Sequence, residues 1–238
     1  NSRGNDVGLS FNQTHNDPVL REIFNDVRFR QAMSLAINRP QINDILYFGR
    51  ATVRQATIPD SVSFYEDWMG EYFAEYDVDQ ANALLDEIGL EWDAAQETRL
   101  RPDGEPLEIV LECWTEFCPH VELVAEMWTA VGVKTLMSQI ERSLFIERNQ
   151  ANEQDAYAHP YDAIAEPNLR AANCSRLRPL GDNSYAPGWR TWYNTDGEQG
   201  DEPSEDNQRI WELCNQYASS LPGSDEYMAI GKEMATLY

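Results

Sequence analysis

The side chains here that could do chemistry are four cysteines, three histidines and a surplus of carboxylates, and their spacing supports little of it. His15, His120 and His159 lie far apart, with no HExxH or related ligand pattern, so no metal site is expected. There is no GxSxG elbow, phosphate-cradling glycine loop or GxGxxG, which leaves acyl-transfer, nucleotide and dinucleotide chemistry without a motif, and no cofactor is expected. Cys118 stands two residues before His120, a separation that rarely makes a nucleophile and its base. Paired carboxylates could hydrolyse a glycoside, but among 41 acidic residues any pair is available and the abundance discriminates nothing. What does stand out is aromatic. Trp114 follows a predicted strand directly, and Tyr185, Trp189, Trp192 and Tyr193 crowd a Gly/Pro/Asn-rich stretch, where flat faces beside Asn and Arg suit sugars or peptide side chains in a cleft.

Charge narrows the partners. With 18 basic residues against 41 acidic ones the formal charge is -23, and such a surface repels phosphate backbones and anionic headgroups, so nucleic acid is excluded as a partner. Lys134 and Lys232 are the only lysines. No apolar run is long enough to span a bilayer. The even cysteine count fits disulfides in an exported chain. Cys113 and Cys118 flank a short loop and could form a local bridge, Cys174 and Cys214 then pairing with each other. A zinc site beside His120 is the alternative, without the second close cysteine pair it would need.

The elements that must hold these residues read as α/β. A short strand over 7–12 leads into a polar turn. A helix capped by Asn25 or Asp26 follows, carrying Phe29, Ala32, Met33, Ala36 and Ile37, and then a helix capped by Asn38 with Pro40 in its first turn. Residues 50–73 read as an irregular excursion. Asp77 caps the next helix, which Gly89 ends. Residues 107–112 alternate as a strand, 119–131 is a helix stopped by Gly132, 133–137 a strand, a helix opens at Ser143, and 161–165 reads as a third strand. This β-α-β-α-β order implies parallel pairing through right-handed crossovers. Residues 168–200 read as loop, and helices over 204–219 and from Ser224 onward are expected to pack on the lobe.

One stretch carries a resemblance. NDVRFRQAMSLAINRPQINDI, from Asn25 to Ile45, is similar to the D-x-R-x-R-x-A-x-x-x-A-I-(D/N)-R-x-x-I segment of the peptide/nickel solute-binding proteins, extracellular solute-binding protein family 5. Matches follow in the same order: Ile58-Pro59, YDVDQANALLDEIGL from Tyr76, DGEPLEIVL from Asp103, AEMWTAVGVKT from Ala125 and YDAI from Tyr161. The resemblance implies a periplasmic-binding-protein-like lobe with a mixed sheet and flanking helices. On this reading the whole of 1–238 is the second lobe, an excised fragment, of a two-lobe protein that closes on its solute. The expected function is capture of an oligopeptide or oligosaccharide for an ABC importer, with no catalysis. The expected partners are the permease subunits and the first lobe, the expected state is a monomer, and the expected compartment is extracytoplasmic. Arg28 and Arg30 read as structural.

By position, the loop after the YDAI-like strand would line the cleft, which puts Glu166, Asn168, Arg170 and Asn173 beside Trp114 and Trp189 as expected ligand contacts. Peptide-binding members often carry a Trp-x-x-Asp pattern there, where this chain has LRAANCSRLRP. WRTWYNTDGEQGDEP, from Trp189, resembles a stretch of oligosaccharide-binding members. The competing readings are a carbohydrate-acting hydrolase and a free-standing interaction domain.

Overall fold

The computed structural model describes residues 5–161, 164–171, 174–181 and 184–238. Strand β1 (Asn5–Phe11) is followed by helices α1 (Pro18–Asn25), α2 (Val27–Leu35) and α3 (Arg39–Tyr47). The short α4 (Asp67–Glu71) and α5 (Val78–Glu87) precede the alternating unit β2 (Glu108–Cys113), α6 (Cys118–Ala130), β3 (Lys134–Gln139), α7 (Arg142–Gln150) and β4 (Ala156–Tyr161). Helices α8 (Glu166–Ala171), α9 (Pro187–Asn194), α10 (Glu205–Ser219) and α11 (Asp225–Leu237) complete the described elements.

The helix starts follow from side chains that accept the otherwise unpaired N–H groups of the first turn. Asp26 accepts from Arg28 N at 2.9 Å, Asn38 from Gln41 N at 3.0 Å and Asp77 from Gln80 N at 2.9 Å. Ser204 and Ser224 cap α10 and α11 in the same way. The polar turn expected after β1 is present over 13–14, and beyond it lies a helix the sequence reading does not contain, α1. Asp17 caps it, accepting from Val19 N at 2.8 Å, and Pro18 sits at its first position.

The sheet order is β1-β4-β2-β3, with β2 parallel to both β3 and β4 and β1 antiparallel to β4. The mixed sheet thus contains the expected parallel unit, but its third strand covers 156–161; of the expected 161–165, Ile164 and Ala165 are not strand and 162–163 lie outside the described residues. Pro160 hides this strand in the sequence, because a proline removes a ladder donor. In the sheet β4 pairs with β2 only at Ala156 and Tyr157 and then runs on beside β1 alone, so Pro160 lies beyond the doubly paired part. Glu112 also departs from the expected alternation. It is 2% exposed on the central strand, where Arg148 Nε (2.7 Å) and Gln154 Nε2 donate to its two oxygens.

Two apolar clusters support the sheet. Phe11 is the hub of the first, with ring centroids 5.3 Å from Phe24, 5.1 Å from Phe29 and 5.1 Å from Trp128. Trp128 donates to Met33 O at 2.9 Å, which satisfies its buried indole. The second joins α10 and α11 to α9 and the 58–69 excursion through Trp189, Phe64, Trp211, Tyr217, Tyr227 and Met234.

Cys113 and Cys118 form a disulfide, Cα atoms 5.7 Å apart, between the end of β2 and the start of α6. Cys174 and Cys214 are buried and not bridged, a correction to the pairing expected of them. His120 Nε2 lies 2.8 Å from the Tyr47 hydroxyl, and its buried Nδ1 has no partner among the described residues. Burial holds the His120 pKa below the ordinary value of 6.5. The folded chain therefore takes up this proton less readily than the unfolded chain, and the contribution to stability is complete above pH 6.5 and declines as pH falls below it. His120→Gln is expected to flatten the fall in urea midpoint on acidification through that window. An unchanged slope would assign the pH dependence to other groups.

Candidate functional site

β4 outruns β2, so its last residues pair with β1 alone, and a cavity of about 190 Å³ lies over this end of the strand. Ser10 of β1 and His159 and Tyr161 of β4 form its floor, spaced by two as one face of a strand requires. Ser175, Arg176, Pro179 and Gly181 line it from the segment after α8, and Tyr185 and Tyr238 complete it.

The polar groups are set for recognition. His159 Nδ1 donates to Pro160 O at 3.0 Å, which leaves Nε2 to accept from the Ser10 hydroxyl at 3.0 Å. This resembles a nucleophile and its base, but the orienting partner is a neutral carbonyl, which does not stabilise an imidazolium as a carboxylate would. Tyr185 donates to Leu177 O at 3.0 Å, fixing its ring against the wall. The Tyr161 hydroxyl is buried with no hydrogen-bond partner of normal geometry among the described residues, and burial raises its pKa, so it is held as a neutral phenol. An orphaned O–H on a cavity wall is a donor awaiting an acceptor.

An aromatic chain runs through the cavity. Trp114 meets Phe145 at 4.9 Å, Phe145 meets Tyr157 at 5.2 Å, and Tyr157 meets His159 at 5.4 Å. The chain continues from His159 to Tyr161 (6.1 Å), Tyr238 (6.4 Å), Tyr185 (6.2 Å) and Trp189 (6.2 Å). The two tryptophans expected at the ligand therefore stand at opposite ends of one chain of rings.

Trp114 is half-buried in the loop closed by the Cys113–Cys118 bond, with the Arg142 guanidinium 5.6 Å from its ring. Trp189 is 4% exposed, on α9 and not on a loop, and walls a second hollow of about 350 Å³ with Gln13, Arg21, Asn25 and Asp201. The stretch read as loop over 168–200 thus contains a helix. Glu166 takes the Ser63 N–H at 3.1 Å and the Ser63 hydroxyl at 2.5 Å, tying α8 to the 58–69 excursion. Arg170 donates to Ser220 O (2.9 Å) and Ala218 O (3.0 Å), capping α10. Asn168 is half-buried on α8 and is not part of the cavity lining; Asn173 lies outside the described residues. Sequence reasoning missed Ser10, His159, Tyr161, Arg176 and Tyr238. The signal for two of them, His159 and Tyr161, was the alternation Tyr157, His159, Tyr161, masked by Pro160.

A parallel β-α-β-α-β unit with the antiparallel strand β1 beside it is the lobe architecture of the periplasmic binding proteins, and comparison with known proteins agrees. The chain belongs to the bacterial extracellular solute-binding proteins, family 5, whose middle-region model matches residues 2–169. It is 29% identical over 155 residues to the dipeptide-binding protein of Escherichia coli (strain K12), a match covering 63% of this chain and 26% of the relative. An oligopeptide-binding protein OppA structure superposes with a TM-score of 0.87 at 38% identity, covering 99% of this chain and 39% of that one. The stachyose complex of MelB from Agrobacterium fabrum C58 superposes with a TM-score of 0.77 at 18% identity over all of this chain and 36% of its own, a likeness of fold alone. The chain thus spans about a quarter of the length of the curated relatives it matches. Among the described residues no helix is long and apolar enough to cross a membrane.

Proposed function

We propose that this chain is one lobe of an extracytoplasmic capture protein, which holds an oligopeptide against the β1–β4 cavity, closes on it with a second lobe and delivers it to an ABC permease without chemical change. The observation that carries this is the cavity itself: a buried phenol with no hydrogen-bond partner of normal geometry among the described residues, and a serine–histidine pair, set among aromatic rings, a lining that binds and orients. The 38% identity to an oligopeptide-binding protein favours a peptide. The run of aromatic faces from Trp114 to Tyr238 favours an oligosaccharide as the second reading.

The test is to denature the full-length protein mildly, identify the released molecule by mass spectrometry, and titrate it back by calorimetry. An oligopeptide or oligosaccharide is expected. Arg176→Ala and His159→Ala are each expected to weaken it about tenfold, the equivalent of about 1.4 kcal/mol. The 1–238 chain alone should bind weakly, since half the enclosing contacts are lost. Tight binding indifferent to both variants would remove the cavity from the reading.

A further inference from the structure

The buried residues of α7 are Phe145 and Asn149, one turn apart on one face. Phe145 fills its place with a ring. Asn149, 1% exposed, puts a carboxamide where such a stripe calls for an apolar side chain. Both polar atoms of that carboxamide are used. Its Oδ1 accepts from Ser184 N at 3.0 Å, and its Nδ2 donates to Ser184 O at 3.0 Å and to Gln154 Oε1 at 2.9 Å. One side chain thereby pairs with both main-chain groups of Ser184, as a residue of a neighbouring strand would.

The orientation of the carboxamide is fixed from behind. The Glu112 carboxylate, paired with Arg148, can only accept, so Gln154 turns its Nε2 toward Glu112 and its Oε1 toward Asn149. Turned over, the Asn149 carboxamide would set acceptor against acceptor at Gln154 and donor against donor at Ser184 N. Ser184 is therefore gripped in one arrangement, and it immediately precedes Tyr185 of the cavity wall. Its hydroxyl donates to Pro179 O at 2.7 Å and accepts from Ala186 N at 3.1 Å, which ties the lining residue Pro179 to the start of α9. Tyr185 itself is held at its hydroxyl, on Leu177 O at 3.0 Å, and at its carbonyl, which accepts from Gln13 N at 2.9 Å.

We propose that Asn149 is the positioning residue of the cavity, setting where the Tyr185 ring stands before any solute arrives. It lines neither hollow and acts through Ser184. An apolar side chain of the same volume would stabilise a buried site as well, so what the polar network adds is a single arrangement of the wall. A ring fixed beforehand needs no ordering on binding, a cost that a loose aromatic wall would carry. The positioning does not depend on the solute; only its effect on capture rests on the proposed function.

The test uses unliganded full-length protein labelled with 3-fluorotyrosine, the Tyr185 fluorine line being assigned by its loss in Tyr185→Phe. Asn149→Leu keeps the volume and removes the pairing with Ser184, and its Tyr185 line is expected to leave the wild-type position. Phe145→Leu, one turn away on the same helix, weakens the fold without touching Ser184 and is expected to keep the wild-type line. An unmoved Tyr185 line in Asn149→Leu, or an equal displacement in Phe145→Leu, overturns the proposal. If Asn149→Leu fails to fold, hydrogen exchange in the wild-type protein decides. Ser184 N–H should be protected as well as the β4 amides paired with β1, and exchange at the rate of an exposed amide overturns the proposal. The molecule released from the full-length protein by mild denaturation is expected to bind Asn149→Leu about tenfold more weakly. A displaced line with unchanged affinity would support the positioning role and remove Tyr185 from the solute contact.

Discussion

Arg99→Ala is expected to destabilise the chain by about 3–5 kcal/mol, read as a lower urea midpoint at an unchanged denaturant slope. Arg99 is wholly buried and holds together three segments distant in sequence. Its Nε donates to Val131 O at 2.9 Å, Nη1 to Leu90 O at 2.5 Å and to Asp86 at 2.6 Å, and Nη2 to Asn82 Oδ1 at 2.8 Å. The ion pair with Asp86 is the lesser part, since that carboxylate is 63% exposed and water screens it. The larger part is the two main-chain carbonyls, which alanine would leave buried and unpaired at about 1–3 kcal/mol each. Arg99→Met keeps the apolar stem against Trp92, whose ring lies 4.8 Å from the guanidinium, and still strands those carbonyls. It should therefore lose nearly as much as alanine. If methionine restored wild-type stability, packing and not hydrogen bonding would be the role of Arg99. The site leaves little room for repair, because Gly132, at φ +87°, packs so close that an added Cβ would fall 2.6 Å from Arg99 Cγ.

Much of the frame was legible in the sequence because its signals are local. Asp26, Asn38 and Asp77 each announce a helix by a hydrogen bond that spans two or three residues, and the structure has each of them. The family motif from Asn25 to Ile45 coincides with the caps of α2 and α3 and with the buried face of α2. The cavity was not legible, because its defining contact joins Ser10 to His159 across a separation of 149 residues. No local pattern marks such a pair until the register of β1 against β4 is known. Glu166 and Arg170, chosen by position, are near the site in sequence but spend their charges on Ser63 and on the end of α10. Trp114 and Trp189 were chosen for chemistry. They belong to the same run of rings as the cavity, although Trp189 faces a different hollow.

That run of rings makes the support of the site testable apart from the site itself. Phe145→Ala is expected to cost about 3–5 kcal/mol, because a wholly buried ring is removed from between Trp114 and Tyr157 and the sheet beneath cannot collapse to fill the space. Phe145→Leu keeps most of the volume and should cost only about 1–2 kcal/mol. Trp114 would lose its edge-to-face base in the alanine variant while keeping Phe117 at 5.1 Å, the bond from its indole to Glu116 at 3.0 Å and the loop closed by Cys113–Cys118. It should tilt and not detach. The corresponding loss of solute affinity in the full-length protein is about 1 kcal/mol, roughly fivefold in Kd, with the leucine variant near wild type. The two readouts separate two ideas. Undiminished stability in Phe145→Ala would mean that the ring is not a support. Lost stability with an unchanged Kd would mean that Trp114 does not face the solute, and the binding surface would then shrink to the β1–β4 cavity.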